Sequence, residues 1–117
     1  MSYKVTKKDE AVTYKPANHY DMRATRLHNA DDVNGSITLG FSHFLPGGGA
    51  EMGKASIELL YFVVDGCMTV TTDDGQVHVL NAGDSIHFSP GQGRESKNNG
   101  AETAAMLGVS CPGKDAK

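Results

Sequence analysis

The sequence predicts an all-β chain of short strands, folded as a β-sandwich or jelly-roll barrel. Three observations predict it. Glycine is abundant, with 14 residues against four Phe, four Tyr and no Trp, and so many glycines in a short chain serve tight turns. Strand-like runs recur at intervals of about ten residues with turn formers between them. No stretch carries the apolar period of a helix.

The elements follow in order. Residues 1–10 are polar and lysine-rich and read as a loose arm, or as an edge strand lent to a partner subunit. Residues 19–28, HYDMRATRLH, have mixed alternation and read as an edge strand. Asn29 to Gly35 is dense in turn formers. In residues 36–45, Ile37, Leu39 and Phe41 alternate with small or polar residues, which is the period of a strand. Pro46-Gly47-Gly48-Gly49 reads as a turn. Ile57 to Val64 is apolar except for Glu58, and Asp65-Gly66 is a hairpin dipeptide leading into Cys67 to Thr72. Asp73-Asp74-Gly75 turns again before Gln76 to Leu80. Ser85 to Phe88 and Ala105 to Val109 complete the strands, and residues 112–117 read as a frayed tail. The whole of 1–117 reads as one domain.

Composition narrows the function. Apolar residues make up 38% of the chain and charged residues 21%, enough to pack a core. The net charge of −3 argues against a nucleic-acid partner. The longest apolar run, Leu59 to Val64, is too short to span a bilayer. No signal peptide is visible at the charged start. Cys67 and Cys111 lack the spacing of a zinc or redox pair and read as reduced thiols, with the cytoplasm as the expected compartment.

Residues 45–98 resemble the small single-domain cupins. GDSIHFSPGQGRESKN supplies the second motif of that family: Gly83, Pro-Gly at 90–91 and Asn98, with Arg94 where a histidine is usual. PGGG at 46–49 and ELLYFVVDGCMTV around Gly66 match the first motif in outline. The resemblance implies a double-stranded β-helix, the jelly-roll barrel, open at one end, and a homodimer. It also implies a divalent metal held by His-x-His and Glu from the first motif and His from the second. Here the family Glu falls at Leu59, with Glu58 one residue off. The first two histidines fall at Gly53 and Ala55, at Met52 and Lys54, or at Glu51 and Gly53. Arg is charged and has no lone pair to give. The expectation is therefore a cupin with no metal cofactor.

Arg94 becomes the candidate substrate-binding residue, since a guanidinium in a half-buried cup binds carboxylate or phosphate in a forked geometry. Its alternative role is a strut paired with Glu58 or Glu51. Glu58, the one charge in an apolar run, is a candidate acid or base if it faces inward. His43 and His87 are candidate catalytic partners, and Glu51 and Tyr61 candidate substrate contacts. His19, His28 and His78 read as surface or edge residues. The implied function is a small-molecule enzyme of isomerase, epimerase or lyase type acting on an anionic, carboxylate-bearing substrate. The alternatives are a non-catalytic binding or sensing module, and a dioxygenase-like metal enzyme with ligands relocated to Glu51, Glu58, His43 and His87.

Overall fold

A computed structural model of the chain describes residues 3–29 and 36–111. After a short 3-10 turn at Lys8–Glu10 come nine strands: β1 (Val12–Tyr14), β2 (His19–His28), β3 (Thr38–Lys54), β4 (Glu58–Asp65), β5 (Cys67–Thr72), β6 (Val77–Asn81), β7 (Ser85–Phe88), β8 (Gly93–Lys97) and β9 (Ala104–Cys111). Every pairing is antiparallel, and hydrogen bonding runs β6-β5-β8-β3-β9-β4-β7, with β2 on β3 and β1 on β2. The result is a nearly closed jelly-roll barrel. No helix among the described residues is long and apolar enough to cross a membrane.

Three sequence expectations need correction. The glycine run at 46–49 is not a turn. β3 passes straight through it, pairing with β9 over Thr38–Phe44 and with β8 over Gly49–Lys54. Gly47 takes a positive φ of +87°, and the next two glycines allow close approach: a Cβ on Gly48 would lie 2.1 Å from the Asp21 carbonyl oxygen, and one on Gly49 would lie 2.0 Å from that of Ser96. Asp65-Gly66 does not close a hairpin, because β4 pairs with β7 and β9 while β5 pairs with β6 and β8. It is the corner where the chain crosses the barrel from β4 to β5, which are not neighbours in the strand order, with Gly66 at φ +78° beside Ala104. Gly93–Lys97, read as motif only, is a strand in its own right. The described part of the arm, residues 3–10, forms no strand; the strand that follows it, β1, pairs with β2 of the same chain. The turn expected at 29–35 lies almost wholly outside the described residues, as does the tail at 112–117.

The core gathers inward positions from around the barrel: Phe44, Val63, Met68, Val70, Leu80, Phe88, Ala104 and Met106, with Met22, Leu59, Tyr61 and Ile86 packed against it. Each large apolar side chain buried here contributes about 2 kcal/mol. Asn98 is fully buried where β3 changes partner. Its Nδ2 donates to the carbonyls of Phe44 (3.0 Å) and Glu102 (2.8 Å), and its Oδ1 accepts from the Gly100 amide (2.9 Å). Its own backbone bonds Gly47 and Gly48. The motif asparagine thus ties β3 to the β8–β9 connection.

Candidate functional site

The barrel interior is packed at one end and opens where two glycines line it. At one end Phe44, Val63 and Met106 fill the interior. Toward the other, cross-strand pairing lines up Arg26 with Gly40, Gly40 with Gly108, and Gly108 with Tyr61. The space left is a cup of two chambers, of about 240 and 170 Å³. His19, Tyr61 and Ser96 line both chambers and join them.

Arg94 lines the smaller chamber. It stands opposite Gly53 on β3. Arg94 Nη1 donates to the Gly53 carbonyl at 3.0 Å, and Cζ lies 5.8 Å from the centre of the Phe88 ring. Its Nε is buried with no acceptor. Among the described residues the ion pairs are Lys54 with Asp73 and His87 with Glu58, so no carboxylate neutralises Arg94. Glu51 shares the chamber without pairing to it. The strut reading therefore finds no partner, and a charged fork faces the cup with donors to spare.

Leu59 also faces inward, against the core and the cup. Glu58 consequently faces out. Its side chain is half exposed and accepts a 2.5 Å hydrogen bond from His87 on the outer surface. The expected desolvated carboxylate is not there. His87 shares that outer position, while its neighbours Ile86 and Phe88 turn inward. His43 does share a face with Phe41 and Leu45, but that face is the outside of β3, where its ring meets Phe41 edge-on at 4.6 Å. Of the six site residues expected from sequence, Arg94, Tyr61 and Glu51 meet at the cup; Glu58, His43 and His87 lie outside it. Tyr61 is half-buried and packs edge-on against Phe88 at 5.1 Å.

Sequence alone gives Arg26 no role and places His19 at the surface or an edge, yet both line the cup. Arg26 alternates with Met22 and Ala24 along β2, and that alternation carried its inward direction. His19 had no such signal. The register of β2 against β3 breaks between Tyr20 and Met22, with Asp21 at φ +50°, and the break turns His19 toward the cup. His19 Nδ1–H donates to the Ala17 carbonyl at 2.8 Å. A carbonyl only accepts, so in the neutral ring Nε2 keeps its lone pair.

Residues 40–110 match the family described as Cupin domain. The chain belongs to the cupin family. It is 30% identical over 105 residues to the Mycobacterium tuberculosis protein named beta-D-galactosidase Rv1717, across 89% of this chain and 90% of that one. Its fold superposes on the polyketide cyclase RemF of Streptomyces resistomycificus (TM-score 0.81, 16% identity, 93% of this chain and 79% of that). It also superposes on an RmlC-like cupin of Shewanella frigidimarina (TM-score 0.77, 16% identity, 97% and 95%). A Thermotoga maritima protein described as a predicted oxalate decarboxylase fits likewise (TM-score 0.81, 16% identity, 92% and 98%).

The divalent metal that the cupin resemblance implies does not fit these residues. Leu59 offers no donor atom, Arg94 offers only N–H groups, and no histidine occupies the remaining ligand positions. Relocated ligands do not converge either. Among the described residues no three His, Cys, Asp or Glu side chains are close enough together to hold an ion.

Proposed function

We propose that this cupin is an enzyme for a small hydroxylated organic acid. Arg94 holds the substrate's acidic group, and His19 Nε2 takes a proton from the carbon beside its carbonyl. The observation that carries this reading is the guanidinium of Arg94, which faces the cup with one hydrogen bond to protein and a buried, unpartnered Nε. A fixed cation at that point stabilises negative charge that develops as the proton leaves. The His19 tautomer supplies a base whose orientation is set by Ala17. The hydroxyls of Tyr61 and Ser96 line both chambers and suit a substrate rich in hydroxyl groups. This is isomerase, epimerase or lyase chemistry. Glu58, His43 and His87 have no part in it.

The test uses a panel of sugar acids and short hydroxy acids. Wild-type protein is expected to be thermally stabilised by acids and not by the matching neutral sugars. Arg94→Gln should weaken that binding roughly 10- to 100-fold, the worth of a charged hydrogen-bonded pair. In heavy water, exchange of the proton beside the carbonyl should be catalysed, and His19→Gln should slow it roughly 100-fold or more. Acid binding untouched by Arg94→Gln overturns the reading. Binding with neither exchange nor product leaves a sensing module instead.

The relative's name favours a second reading, hydrolysis of a β-galactoside. That chemistry commonly employs two carboxylates flanking the scissile bond. Among the described residues the two chambers are lined by one, Glu51. Release of nitrophenol from nitrophenyl β-galactoside, lost in Glu51→Gln, would put this reading first.

A further inference from the structure

We infer that the cup takes an organic dianion, with one acidic group on Arg94 and the second on Arg26. The inference rests on the reading that Arg94 holds an acidic group and adds a second pole to it. Strand register builds that pole. Arg26, Gly40, Gly108 and Tyr61 are successive partners across β2, β3, β9 and β4. Directly opposed residues share a face of the sheet, and all four line the larger chamber. Two adjacent positions without side chains leave a bare backbone floor between a guanidinium and a phenol. Neither glycine is there for its backbone angles: both lie outside the positive-φ region, and an added Cβ would meet its nearest neighbours at 3.6 Å and 3.9 Å, ordinary contact distances. What the pair provides is open space beside Arg26.

Arg26 is held for use. Its Cζ lies 4.4 Å from the centre of the Tyr14 ring, a cation–π contact that helps hold the guanidinium. Nη1 donates to Asn29 Oδ1 at 2.8 Å. No carboxylate pairs with Arg26 among the described residues, so most of its five donors remain for a ligand. The two arginines line the joined chambers of one cup, and among the described residues no carboxylate pairs with either. A ligand with one negative group leaves one guanidinium uncompensated. A ligand with two, spaced by a hydroxylated chain lying over the glycine floor, compensates both.

The probes are D-galactarate, with an acid at each end, D-galacturonate, with one, and neutral D-galactose. Titration calorimetry on wild-type protein is expected to find galactarate bound about tenfold or more tighter than galacturonate. Arg26→Gln should erase that preference while leaving galacturonate within about twofold, and Arg26→Lys should restore part of it. Melting of the free variants checks that they fold. Equal affinity of wild type for the two acids, or equal weakening of both by Arg26→Gln, overturns the second pole and leaves the Arg94 reading standing. If neither acid binds better than galactose, both fall.

Discussion

Asn98 illustrates how one side chain can hold a topology together. Its three side-chain hydrogen bonds end on backbone groups of two stretches, β3 and the β8–β9 connection, around a position fully shielded from water. Replacement by alanine removes them and strands buried carbonyls, at a cost of about 3 kcal/mol. Asn98→Ala should therefore lower the melting temperature by roughly 10 °C, and a change within the error of calorimetry would refute that role. Glu58 and His87 teach the opposite lesson. Both look functional in sequence, yet they meet on the outer surface. The outward side chains of β4 (Leu60, Phe62 and Val64) are as apolar as its inward ones (Leu59, Tyr61 and Val63), so alternation could not reveal which way Glu58 turns.

At the scale of elements, strands set by local alternation and turn chemistry were legible. β2, β5 and β7 have the expected limits, and the β5–β6 hairpin forms around Gly75 as its turn residues predict. That hairpin also carries a pH signature. The Thr72 hydroxyl, donating to Asp74 at 2.6 Å, and next the Gln76 amide hold the Asp74 carboxyl below the usual carboxylate range. A lowered native pKa stabilises the fold above the unfolded carboxylate's titration, and the contribution is lost as pH falls through the native one. In Thr72→Val the Asp74 titration followed by NMR should move up toward the ordinary carboxylate range; an unmoved midpoint would remove the hydroxyl from the account. β3 was misread for a reason of distance. Its Gly48 and Gly49 answer to the backbones of Asp21 and Ser96, remote in sequence.

The cup belongs to the whole molecule, since its lining comes from strands that meet only when the barrel closes. Gly108 offers a way to separate fold from function. A Cβ there would sit 3.9 Å from the Tyr61 ring, without clash. Gly108→Ala should keep the melting temperature or raise it slightly, with a gain of under about 1 kcal/mol. The added methyl group would occupy the floor of the larger chamber, so the affinity for sugar acids should fall. Unchanged affinity would show that ligands bypass that floor.

Sequence alone determined the all-β class, most of the strands, the cupin resemblance and the arginine standing where a ligand histidine is usual. These rest on neighbours in the chain: turn chemistry, two-residue alternation and motif spacing. Tertiary structure decided which acids and bases share a space. It sent Glu58, His43 and His87 outside, put Arg26 in the chamber that adjoins the one lined by Arg94, and turned His19 to line both. The physical reason is that strand register and a break at Asp21 fix the direction of these side chains, and both depend on hydrogen bonds to strands far away in the chain.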